Sequence, residues 1–163
     1  MQKTQPSAIK ALSIFHIGLL TGQVIFSLII FIIAYLDKSQ STSSLKAYPT
    51  QLILLCIGVG AAAYLGGNAF FRKKLEQING SAKSLSEKFN DYRAACITRW
   101  ALAEFATLFC IILFFVSRIN LLMIIIVALI LIFFTTKPSL EKIASDLNVS
   151  GAEIEQMNVG SST

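Results

Sequence analysis

The chain has 163 residues, 55% of them hydrophobic and 14% charged, with a mean hydropathy of +0.68. Soluble domains carry about 25% charged residues. The deficit points to lipid as the solvent and excludes a disordered chain, a secreted disulfide scaffold and a nucleic-acid module. Four transmembrane helices of about 20 residues would use about half the chain, leaving too little for a separate soluble domain. The net charge of +5, from 14 basic and 9 acidic residues, is a topology signal in such a protein. Cys56, Cys96 and Cys110 are odd in number and lack CxxC spacing, so they read as reduced thiols serving as small hydrophobes.

The expected architecture is all-α: an integral membrane four-helix bundle over 1–136 with a cytoplasmic tail over 137–163. The first span, about 11–36, lies between Lys10 and Asp37-Lys38. It is too long for the apolar core of a signal peptide and reads as a retained anchor. A polar serine-rich loop ends at Pro49, which suits a helix start. The second span, about 50–71, stops at Arg72-Lys73-Lys74. Asn79-Gly80 marks a turn, and Ser84 with Glu87 forms a capping box that opens the next helix. Segment 72–94 therefore reads as a cytoplasmic juxtamembrane helical hairpin. The third span runs over about 95–116. Ser117-Arg118-Ile119-Asn120 permits a tight reversal, and the fourth span, about 119–136, is barely long enough. In the tail, Leu140, Ile143, Ala144 and Leu147 form one helical face, and Ser150 with Glu153 repeats the capping box. With one basic residue, Lys142, from Leu140 onward, this tail is a poor phosphate binder. It reads as a membrane-surface or partner-docking element and not as a DNA-binding pair of helices.

Eleven basic residues fall in the N-terminus, the 72–99 region and the tail, against Lys38, Lys46 and Arg118 on the other side. Positive charge stays cytoplasmic, so both termini are expected inside a bacterial inner membrane. Tyr35 and Tyr48 suit the outer interface, and Tyr92 and Trp100 the inner one.

Several candidate residues follow. Gly58, Ala62 and Gly66 recur every four residues, and Gly18 and Gly22 form a GxxxG pair. Such small-residue faces let another helix approach closely. Gly58-Val59-Gly60 starts a literal match to a dinucleotide-binding pattern, but it lacks the βαβ context and the later acid. Ser13, His16, Gln23 and Ser27 make one polar stripe on the first helix, expected to face the bundle. Glu104 is the sole acidic residue within any span. It sits about 12 Å past the inner edge of its helix at 1.5 Å per residue. Glu104, His16, Gln23, Asn68 and Arg99 are therefore expected to form an ion-carrying or buried polar cluster in the cytoplasmic half. Arg99 lies about 140° around the helix from Glu104, so it is expected to snorkel to the interface. Glu104 would find its hydrogen-bond partner on the first helix or in a neighbouring subunit.

The segment Ala101-Leu102-Ala103-Glu104-Phe105-Ala106-Thr107-Leu108-Phe109 resembles the acid-bearing helix of rotary ATPase proteolipid (c) subunits. The small-residue run from Gly58 to Gly67 resembles their glycine-rich helix. This resemblance covers roughly 52–116 and implies an ion-carrying role for Glu104. The chain departs from that family in its longer loop, its interrupted glycine pattern and its additional helices. As a whole it also resembles small four-span bacterial inner-membrane proteins, through the basic loop, the Arg99-Trp100-Ala101-Leu102-Ala103-Glu104 stretch and Lys137-Pro138-Ser139. That likeness implies a location and a fold.

No enzymatic motif or metal-ligand spacing is present, so no catalytic residue, metal or cofactor is expected. Expected partners are membrane lipid and either further copies of the chain or another membrane protein, with no nucleic acid. The reading is a non-enzymatic self-associating or accessory subunit; the alternative is proton or ion translocation through Glu104.

Overall fold

The computed structural model describes residues 8–37 and 44–154, and every element among them is helical. Helix α1 spans Ala8–Leu36, α2 Pro49–Asn79, α3 Leu85–Ser117, α4 Leu121–Phe134 and α5 Leu140–Leu147, with a 3₁₀ turn at Ser44–Ala47. Three of these, α1, α2 and α3, are long and apolar enough to cross a bilayer, which marks a membrane protein. At 14 residues, α4 is shorter, about 21 Å at 1.5 Å per residue.

The local starts and stops follow from side-chain chemistry. Pro49 occupies the first turn of α2, where its missing N–H costs nothing. The Ser84 hydroxyl accepts from the Glu87 N–H, while the Glu87 carboxylate accepts from the Ser84 N–H. This box satisfies orphan donors at the start of α3. Arg118 ends α3 in the left-handed conformation, φ 57°, and pairs with Asp37 at 3.0 Å. Both α2 and α3 run without a break through the basic 72–94 segment, reversing only between Gly80 and Ser84.

Helix α3 is the hub, packing against α1, α2 and α4. Contacts of His16 with Trp100 near one end and of Asp37 with Arg118 at the other set α1 parallel to α3. The short reversals on either side make α2 and α4 antiparallel to it. Buried side chains form two groups. One, at the basic end, holds Leu12, Phe71, Tyr92, Trp100, Phe133, Ile143 and Leu147. The other holds Cys56, Cys110, Ile111, Phe114, Leu122 and Ile126.

Two expectations change here. Tyr92 and Trp100 do not sit in an interfacial belt, for each is 1% exposed within the basic-end core. The tail also meets this chain's own helices. Ile143, Leu147 and Ile154 are buried in the same core, and Asp146 receives Tyr92 Oη at 3.0 Å and, on its carbonyl, Asn79 Nδ2 at 2.9 Å. An amphipathic face buries itself on the nearest apolar surface, and the extensions of α2 and α3 through the basic 72–94 segment supply one.

Candidate functional site

The polar stripe of α1 faces inward: His16, Gln23 and Ser27 are buried and Ser13 is half-buried. This placement follows from the cost of exposing polar groups to hydrocarbon. His16 lies between aromatic neighbours, stacked on Phe133 and edge-on to Trp100, each with ring centroids 4.8 Å apart. Its Nε2 reaches the Phe133 carbonyl and the Thr136 hydroxyl, both at 3.3 Å. Arg99 approaches from α3. Its Nη2 donates to the Thr136 carbonyl at 3.4 Å, and its guanidinium lies 4.4 Å from the centre of the Phe71 ring.

These contacts share one target, the C-terminal end of α4. The last four carbonyls of any helix lack intrahelical donors, and the helix dipole places negative charge there. His16 brings a ring N–H to one of them, that of Phe133, and Arg99 brings a cation to the Thr136 carbonyl two residues beyond the helix end. Arg99 therefore does not snorkel to the interface. It is 9% exposed because the end of α4 offers it acceptors and Phe71 offers it a ring face. Phe133, Thr136 and Trp100, which complete this arrangement, were not marked as site residues by the sequence. The available signal was the Thr135-Thr136 pair closing an apolar helix, where backbone acceptors become free.

The five residues expected to cluster are only partly joined. His16 and Arg99 meet through Thr136. Gln23 lies two turns deeper, 1% exposed, and neither amide atom has a hydrogen-bond partner. Asn68 is half-buried on α2 next to Gly67. Glu104 is half-buried on α3. One turn above Trp100, it lies at the edge of the α1–α3 seam and makes no hydrogen bond or ion pair among the described residues. Glu104 therefore finds no intrachain partner on α1.

The small-residue positions divide in two. Within the chain, close helix approach falls at Gly60 and Gly67. A Cβ at Gly60 would stand 3.0 Å from Leu129 Cδ2, and one at Gly67 3.4 Å from Arg99 Cγ. Gly18, Gly22, Gly58 and Gly66 have nothing within 4 Å of that point, and Ala62 is exposed. The Gly58–Ala62–Gly66 and Gly18–Gly22 faces thus meet no other helix of this chain. Cys56, Gly60, Gly67 and Phe71 recur at intervals of four and seven, which keeps them on one side of α2. That side faces α4 at Gly60 and α3 at Gly67 and turns the other stripe outward.

Among the described residues, no three His, Cys, Asp or Glu side chains gather as a metal site, and the three cysteines are free and buried. Comparison with protein-family models, curated proteins and solved structures finds no match to this chain. The fold and site therefore define a class, a helical membrane protein, and its activity is a matter for proposal.

Proposed function

We propose that this chain is a non-enzymatic integral membrane protein of the bacterial inner membrane. It would be a four-span bundle with both termini and the 72–94 hairpin cytoplasmic, acting as a self-associating or accessory subunit. The observation that carries this reading is the pair of vacant small-residue faces, Gly18–Gly22 on α1 and Gly58–Ala62 on α2, at which an added Cβ on each glycine would meet nothing. At such faces a second helix gains close backbone approach. The uneven distribution of basic residues supports the orientation. The clamp on the end of α4 supports the fourth span, since a short helix anchored by His16 and Arg99 can hold its end at membrane depth.

The test is native mass in a mild detergent, with cross-linking in vesicles as a check. A mass above the single-chain 17.8 kDa is expected. Gly22→Leu or Ala62→Leu should raise the dissociation constant roughly tenfold, about 1.4 kcal/mol, while leaving helical content unchanged. A single-chain mass in both detergent and vesicles would sink self-association, and a stable complex with a different membrane protein would favour the accessory role.

One observation favours a second reading. Glu104 is a half-buried carboxyl in a long apolar helix, with no hydrogen-bond or ion-pair partner among the described residues, and intramembrane acids mark ion paths by default. The resemblance to proteolipid subunits gives the same role. On this reading the native mass is that of a large closed ring, and Glu104→Gln abolishes proton flux in reconstituted vesicles without changing that mass. Unchanged flux would remove ion translocation.

A further inference from the structure

At the basic end of the molecule a groove of about 440 Å³ opens between α2 and α3, lined in part by Phe70, Lys74, Gln77, Lys83, Asp91 and Thr98. This is within the range of small-molecule sites, about 300–1,000 Å³. Lys83 is already paired, with its Nζ 2.6 Å from Asp91 Oδ2. Lys74 is exposed and makes no hydrogen bond or ion pair among the described residues. The paired charges cancel, so Lys74 is the uncompensated cation among the residues that line the groove.

The groove sits where α2 changes from apolar to basic, and its membrane-side wall is Phe70, 38% exposed. One turn further into the apolar part of α2 lies Gly66, where a Cβ would meet nothing within 4 Å. On α3, Leu102 and Phe105 follow Thr98 by four and seven residues and so share its face. Leu102 Cδ1 lies 3.7 Å from the Cβ position of Gly67, which places it at the α2–α3 seam beside Gly66. By helical spacing, the surface next to the groove is apolar, with the bare backbone of Gly66 on α2 and the exposed Leu102 and Phe105 on α3.

We propose that this groove holds the headgroup of an anionic phospholipid, its phosphate on Lys74 and one acyl chain along Gly66 against Leu102 and Phe105. Basic pockets between membrane helices on the cytoplasmic side are suited to anionic headgroups. Gln77 adds an amide donor for the phosphate or glycerol oxygens, and Thr98, whose hydroxyl donates to the Ala94 carbonyl, can accept from a glycerol hydroxyl. A free phosphate would use the lysine and leave the apolar surface empty, so the combination selects a lipid. The proposal rests on the membrane placement of α2 and α3 and not on self-association.

The experiment is native mass spectrometry of the full chain in mild detergent, titrated separately with phosphatidylglycerol, phosphatidylcholine and inorganic phosphate. Lipid is counted per chain at whatever mass the protein has, so a single-chain mass would defeat self-association and leave this result readable. One tightly held phosphatidylglycerol per chain is expected, with phosphatidylcholine at least several-fold weaker and inorganic phosphate unable to displace the lipid. Lys74→Gln should weaken phosphatidylglycerol about fivefold, the equivalent of about 1 kcal/mol per basic group at the surface, and Lys74→Arg should retain it. Gly66→Leu, which covers the bare backbone there, should weaken both lipids, and Lys137→Gln, an equal charge change elsewhere, should weaken neither. Equal affinity of wild type and Lys74→Gln would overturn the proposal, as would loss of binding in Lys74→Arg. Displacement of the lipid by inorganic phosphate would show a free-anion site instead.

Discussion

At the basic end, Phe71, Tyr92 and Trp100 pack with Ile143, Leu147 and Ile154 of the tail into a core built largely of aromatic and branched side chains. At the other end, Cys56, Cys110, Ile111, Phe114, Leu122 and Ile126 pack with little more than a thiol reaching a carbonyl, Cys110 Sγ to Cys56 O at 4.0 Å. The first joins residues of the apolar helices, such as Phe71 and Trp100, to the extensions of α2 and α3 and to the tail, where more polar surroundings add to the drive for burial. In the second, lipid tails are as apolar as the side chains they would replace, and only packing holds the helices together. Similar burial therefore carries different free energies at the two ends.

The largest expected effect tests that difference directly. Trp100, 1% exposed, touches both His16 and Phe15. Trp100→Ala should cost about 3–5 kcal/mol, through lost transfer energy and the cavity left behind. Ile126→Ala at the opposite end, equally buried, should lose mainly the cavity contribution, on the order of 1–2 kcal/mol. Denaturant unfolding in detergent measures both, and equal costs would break the comparison.

A smaller effect separates the two faces of α2. Gly60 has Leu129 against it, while Gly58, two residues away, has open space. Gly60→Leu overpacks a seam within the chain and should destabilise the fold by about 1–3 kcal/mol. Gly58→Leu should leave the thermal midpoint of the single chain close to wild type and act only on association. A midpoint drop for Gly58→Leu matching that of Gly60→Leu would show that both faces pack within the chain.

These positions also show what could be read before any coordinates. The long apolar helices, the capping box at Ser84 and Glu87, the Pro49 start and the inward α1 stripe all depend on chemistry within a few residues, and the sequence displays that directly. The packing face of α2 does not, because Gly58, Ala62 and Gly66 at one spacing and Gly60 and Gly67 at another are both small and set in apolar surroundings. With no polar side to exclude, only the positions of α3 and α4 decide between them. The clamp of His16 and Arg99 on α4 was hidden for a related reason. Its acceptors are backbone carbonyls more than 35 residues from either donor, and carbonyls carry no sequence signature. For the tail, the apolar face of α5 was legible, but the core that receives it exists only once α2 and α3 run on through the basic 72–94 segment.

The smallest expected effect concerns how that tail stays attached. Ser150 N–H donates to the Glu153 carboxylate at 2.8 Å, the Ser150 hydroxyl donates to it at 3.0 Å, and the Glu153 N–H returns a bond to the hydroxyl at 3.2 Å. The backbone bond from Ser150, then the hydroxyl bond, hold the Glu153 carboxyl below the usual carboxylate range. A carboxyl with a depressed folded-state pKa stabilises fully above its unfolded value, and that contribution disappears as pH falls through the folded one. The box opens the helical turn at 151–154, whose Ile154 is fully buried in the basic-end core. Acidification from neutral pH to below the ordinary glutamate range should therefore loosen the turn while the spanning helices stay folded. Because the carboxylate is fully solvated, the change should be a few-fold fall in the amide protection factor at 151–154, taken against the intrinsic exchange rate at each pH, and not a global transition. Glu153→Gln keeps a side-chain acceptor for Ser150 and removes the titration, so its protection factor should be flat over the same range. A wild-type protection factor that is also flat would show that Ile154, and not the cap, holds the tail on its core.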